Sequence, residues 1–67
     1  MGTFHDTLGT IYLELMDWRA AIQELELALA LTPSEARSKI HAKLAIGYEA
    51  VGEASLAAMH KDRSGSK

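Results

Sequence analysis

Apolar residues recur along this chain at intervals of three and four, the spacing that gathers side chains on one face of an α-helix. Phe4, Leu8, Ile11, Tyr12 and Leu15 form the first such stripe, and Thr3 with Asp6 has the spacing of a capping box at its start. Asp17 then stands as the N-cap of a second helix from about Trp18 to Leu31. One side of that helix carries Trp18, Ala21, Ile22, Leu25, Ala28 and Leu29, and another carries Leu27, Ala30 and Leu31. Its polar strip is reduced to Arg19, Gln23, Glu24 and Glu26, so this helix needs cover on more than one side.

Thr32-Pro33-Ser34 ends it, because proline cannot continue the hydrogen-bond ladder and restricts the residue before it. Ser34 is placed to cap a third helix whose stripe is Ile40, Leu44, Gly47, Tyr48 and Val51. Gly52 suits the left-handed turn that follows a helix end. A weaker fourth helix follows from about Glu53 to Arg63, and residues 64–67 read as a flexible tail. No segment alternates with period two. The expected fold is therefore all-α, about four helices in two tandem antiparallel helix-turn-helix hairpins, residues 3–33 and 34–63.

The two halves repeat. His5 and His41, Leu8 and Leu44, Tyr12 and Tyr48, and Ala21 and Ala57 are identical pairs 36 residues apart. Phe4 with Ile40, Leu15 with Val51, and Asp17 with Glu53 match in type at the same offset. Gly9 and Ala45 lack bulk, so a neighbouring helix can approach there, while Tyr12 and Tyr48 can fill the gap between layers and keep a hydroxyl free for a partner.

Leu8-Gly9 followed by Tyr12, then Ala21, Leu25, Ala28 and Pro33, resembles the tetratricopeptide repeat family. The second unit keeps Leu44, Ala45, Tyr48, Gly52 and Ala57, and the resemblance runs over residues 3 to 63. It implies an α-solenoid fragment. The 36-residue spacing exceeds the family's usual ~34, which predicts an extra half-turn or a longer lead-in near Ser34 to Ser38. His5 and His41 fill the slot where the family has tryptophan, and Trp18 sits at the start of the second helix instead. The resemblance further implies a groove, lined by the first helix of each repeat, that binds a peptide or protein. Carried over by position, that surface is Thr3, Asp6, Thr10 and Leu13 from one unit and Lys39, Ala42, Lys43, Ile46 and Glu49 from the other. The competing reading of each of these residues is a plain solvent face. A clamp for the C-terminal carboxylate of chaperone partners is excluded: the chain has no asparagine, and Asp6 and Thr10 stand where such a clamp needs a cation and an amide.

Length sharpens the picture. A chain of 67 residues forms one small domain with marginal stability of its own. The absence of cysteine removes disulfides and thiolate metal sites, leaving dense helix packing or association. Two hairpins are also fewer than the roughly three repeats that stable arrays need. A second function class follows: a structural module, either a piece of a longer array or a self-associating homodimer or higher oligomer. It would pair through Leu27, Leu31, Leu56 and Met59, face to face or by hairpin exchange at Pro33.

Charge and candidate chemistry change less. A net charge of −2 and a pI near 5.8, with scattered basic residues, argue against nucleic acid. Arg37, Lys39 and Lys43 leave a DNA-reading helix-turn-helix as a minor alternative. No apolar run nears the ~18 residues of a membrane span, no signal-peptide pattern opens the chain, and Asp6 breaks a myristoylation motif at Met1-Gly2. A soluble protein is expected, with the cytoplasm favoured. Three histidines are the obvious candidates for catalysis or metal binding. His5 and His41, at equivalent positions, read as structural, and His60 as solvent-exposed. With no nucleophile, phosphate loop or acidic pair in view, the expectation is a non-enzymatic protein without cofactor or metal.

Overall fold

The computed structural model describes residues 2–65. Four α-helices follow one another: α1 (Gly2–Glu14), α2 (Trp18–Ala30), α3 (Ser38–Ala50) and α4 (Ala54–Gly65). No strand occurs among the described residues. α1 packs along α2 and α3 along α4, so each pair is a hairpin. The hairpins meet through α2 and α3, while α1 touches α3 only lightly. α2 is thus the inner helix, which covers its side bearing Ala21, Ile22, Leu25, Ala28 and Leu29, while Leu27, Ala30 and Leu31 on the other apolar side stay exposed. Ala21, Leu25 and Ala28 are fully buried and form one core with Ile40 and Leu44. Tyr12, Leu13, Ile22, Leu29 and Tyr48 pack around that core.

Close approach depends on small residues. A Cβ at Gly9 would lie 2.5 Å from Leu25 Cγ, so α1 can lie this close to α2 only without a side chain there. A Cβ at Gly47 would lie 2.9 Å from Ile22 Cγ1, and the same logic seats α3 on α2.

Both hairpin turns are built alike. Met16 (φ 61°) and Gly52 (φ 86°), 36 residues apart, take the left-handed conformation after α1 and α3. In the first turn Met16 N–H donates to Leu13 O and Asp17 N–H to Tyr12 O; in the second Gly52 N–H donates to Glu49 O and Glu53 N–H to Tyr48 O. These are the paired bonds of a Schellman ending, which satisfies the last carbonyls of the helix. Glycine adopts that conformation freely, whereas a methionine Cβ crowds the following carbonyl.

Several local expectations change. α1 begins at Gly2, so Thr3 lies inside the helix and does not cap it. Asp17 does precede α2, yet its side chain makes no capping bond. Ser34 opens a short 3₁₀ turn, Ser34–Ala36, and α3 starts later, at Ser38 after Arg37. This turn occupies the stretch where the long repeat spacing called for extra residues. α4 continues through Gly65, so Ser64 and Gly65 are helical rather than tail, and Ser64 Oγ donates to Lys61 O at 2.8 Å. Ser66 and Lys67 lie outside the described residues.

The linker between hairpins is tied down. Thr32 Oγ donates to Ala28 O at 2.6 Å, and Arg37 Nε donates to Thr32 O at 2.7 Å. Hairpin exchange at Pro33 would have to break the Arg37–Thr32 bond, which spans it.

Candidate interaction surfaces and a buried histidine pair

The predicted groove splits into two parts. Lys43 Nζ donates to Asp6 Oδ1 and to Thr10 Oγ1, both at 2.8 Å, and Thr10 Oγ1 donates to Asp6 O at 3.0 Å. All three residues are half-buried, and they tie α3 to α1. Their polar atoms are engaged with one another rather than turned to a ligand. Leu13 also leaves the groove: it packs against the core, with Cδ2 3.9 Å from the position of a Gly47 Cβ. Thr3, Lys39, Ala42, Ile46 and Glu49 stay exposed, and Ile46 is the large apolar side chain among them.

The first apolar stripe faces outward. Phe4, Ile11 and Leu15 are 64%, 45% and 69% exposed, and Leu8 and Tyr12 are half-buried. Their partners at the 36-residue offset behave oppositely. Ile40, Leu44 and Gly47 are buried and Val51 is half-buried. Leu44 shares the core with Leu25, and Gly47 receives Ile22, so α2 is what covers this stripe in the second hairpin. Among the described residues, no helix covers it in the first.

The four residues expected to mediate self-association are all exposed. Leu27 and Leu31 lie one turn apart on α2 and just beyond its end. Leu56 borders a crevice of about 190 Å³ with Arg19, Ile22, Tyr48, Val51 and Glu53, so it faces the first hairpin. Met59 lies on α4. Leu27 and Leu31 belong to the first hairpin, Leu56 and Met59 to the second.

His60 corrects the sequence reading most. It is buried, 3% exposed, with Nδ1 2.8 Å from His41 Nδ1. One nitrogen of that pair must donate and the other accept, so the two rings share a single proton there. His60 Nε2 lies 3.8 Å from Glu26 Oε2, and Tyr48 Oη donates to the same oxygen at 2.6 Å. The His60 ring stacks on His41 and on Tyr48, with centroids 5.0 and 5.4 Å apart. If His41 donates, His60 carries its proton on Nε2, toward Glu26; this tautomer suits the carboxylate. Burial pushes both histidines below the ordinary value of 6.5. For His41 the neighbours His60, Arg63 and Arg37 add to the effect and Glu26 opposes it; for His60, Glu26 opposes and Arg63 adds. Burial and the bond to Glu26 push Tyr48 up to about 12.

The repeat explains the site and could have found it. His5 Nδ1 lies 2.6 Å from Glu24 Oε1, a separation of 19 residues, as between His41 and His60. Glu24 and His60 are 36 residues apart, so each hairpin uses the same cross-helix pair, once as histidine–carboxylate and once as histidine–histidine. A polar bond that holds two helices together is what the arrangement provides. Among the described residues, no three His, Cys, Asp or Glu side chains converge as metal ligands, and no helix is long and apolar enough to cross a membrane. Compared with family models, curated proteins and solved structures, the chain has no match.

Proposed function

We propose that this protein is a non-enzymatic interaction module that binds another protein by receiving a helix on the outward stripe of α1. The observation that carries this reading is the contrast between Phe4 and Ile11 on α1 with Leu15 just past it, which are exposed, and Ile40 and Gly47 on α3, which are buried against α2. Aligned apolar side chains of this size on one helix face favour an apolar partner surface by roughly 25 cal/mol per Å² removed from water. Their spacing of seven and four residues suits a helix packed along α1. The tetratricopeptide-like pattern of Leu8, Gly9, Tyr12, Leu44 and Tyr48 supports the same reading, since stacked hairpins of that kind cover each other's faces.

A second reading places a peptide on the groove side of α3. Ile46, 53% exposed between Lys39, Ala42 and Glu49, favours it. The two readings separate in one experiment: affinity capture from an extract of the source organism with the native chain, Ile11→Asp and Ile46→Asp. Loss of a captured protein with Ile11→Asp alone supports the α1 face. Loss with Ile46→Asp alone transfers the function to the groove, and retention with both variants refutes both surfaces.

A further inference from the structure

The far end of the molecule carries a matching feature. A broad depression of about 400 Å³ lies on the outer face of α4, lined by Ala58, Lys61, Asp62 and Gly65. At the 36-residue offset these four correspond to Ile22, Leu25, Glu26 and Leu29. On α2, Ile22 lies against Gly47 and Glu26 is bonded to Tyr48, both of α3, while Leu25 shares the core with Leu44 and Leu29 packs on that core. The depression is therefore the place where a helix equivalent to α3 would lie next, and α1 is the equivalent of α3.

We infer that the α1 stripe of one molecule occupies the α4 depression of a second copy, so that molecules stack head to tail in continuation of the α2–α3 interface. The inference rests on the α1 face being the docking surface, as proposed above, and names its partner. Volume favours this occupant. Inside the chain a large residue of α2, Ile22, fits a glycine of α3, Gly47. Between copies the sizes reverse: Ile11 stands at the place of Gly47 and Ala58 at the place of Ile22. At the other end of the stripe Phe4 stands at the place of Ile40 and Gly65 at the place of Leu29, so there too a large α1 side chain would face a residue without one. Bulky side chains on α1 thus meet small ones on α4, a complementarity that two α1 faces, large against large, lack. Polarity also carries over. Tyr12 stands where Tyr48 does and Asp62 where Glu26 does, so a hydroxyl-to-carboxylate bond can form across the new interface. Lys61, at the place of Leu25, can lay its stem on Leu8 with the ammonium at the rim.

Such a contact joins two different surfaces, so each added copy leaves both ends free and growth does not stop at a dimer. Sedimentation velocity of the full chain, over a concentration series reaching about a millimolar, tests it with Ile11→Asp and Ala58→Arg, both exposed positions, with circular dichroism to verify folding. The expected result is mass growing past the dimer for the native chain, monomers for each variant alone, and a one-to-one pair when the variants are mixed. That rescue arises because Ile11→Asp keeps its α4 face and Ala58→Arg keeps its α1 face. A native chain that stays monomeric, or an Ala58→Arg chain that associates as the native one does, overturns the inference. If association fails while Ile11→Asp still abolishes capture from extract, only the head-to-tail partner is wrong. If capture too is indifferent to Ile11, the docking face itself falls.

Discussion

The two hairpins share a backbone plan and differ in what surrounds it. Both turns hold a left-handed residue at the same repeat position, and both hairpins cross-link their helices by a bond spanning 19 residues. Yet hairpin α3–α4 has α2 packed against its first helix, whereas among the described residues α1 of the other hairpin meets, beyond its own α2, only a light contact with α3. Burial of a given repeat position is thus set by its neighbour, not by the hairpin that contains it. Leu8 and Leu44 make the point with one residue type: the first is half-buried and the second fully buried.

The sharpest way to break the comparison is to truncate both leucines. Leu44→Ala should cost about 2–5 kcal/mol, the range for a buried leucine, and Leu8→Ala clearly less, as read from urea unfolding midpoints. Equal losses would mean that the α1 stripe is covered in solution after all. Next comes the small residue that sets helix spacing. Gly9→Ala drives a Cβ into Leu25, and overpacking should outweigh the gain in helix propensity for a net loss of about 1–2 kcal/mol. The reverse exchange at the same repeat position, Ala45→Gly, should also destabilise, by about 1 kcal/mol through propensity. Stabilisation by Gly9→Ala would contradict the close approach of Leu25 to Gly9.

Acid tests the histidine pair of the second hairpin. The unfolded chain protonates histidine near 6.5, while native His41 and His60 are held below it. Below 6.5 the unfolded state therefore binds more protons, so the contribution of the pair is complete above that pH and is lost as pH falls toward the depressed native values. Each proton taken up on unfolding adds about 1.4 kcal/mol per pH unit to the slope. Unfolding midpoints measured between about pH 5 and pH 8 should drop on the acid side, and the double variant His41→Gln/His60→Gln should flatten that drop. An unchanged slope would remove the shared-proton pair from the account.

The smallest effect is expected at the turns. Met16→Gly should stabilise by about 0.5–1 kcal/mol by relieving the left-handed methionine, and Gly52→Ala should destabilise by a similar amount. A Met16→Gly variant less stable than the native chain would place a compensating contact on that side chain.

What could be read from the sequence follows the range of the physics. The four helices, the break at Pro33 and the turn at Gly52 were legible because periodicity and backbone chemistry act over a few residues. The resting place of Ser34 was not, since a 3₁₀ turn and a helix start share their capping residues. The direction of the α1 stripe escaped as well: Phe4, Ile11 and Leu15 have the same pattern whether or not a helix lies over them. His60 looked exposed because it lies near Asp62 in a helix expected to fray, and its burial comes from His41, Tyr48 and Glu26, 12 to 34 positions back. Asp6 and Lys43 were read as groove residues from the first helix of each repeat, and their mutual bond, 37 residues apart, depends on the docking of the hairpins.

The linker held by Thr32 and Arg37 has a consequence for strength of association. It presents α3 to α2 at an effective concentration that short tethers raise to the millimolar range. An interface closed by such a tether can be weak by the standard of free molecules and still be fully formed. Contacts between copies enjoy no tether, so their occupancy rises and falls with protein concentration. Joining two copies by the Thr32–Arg37 segment would convert that concentration-dependent contact into a permanent one without altering a single residue of either face.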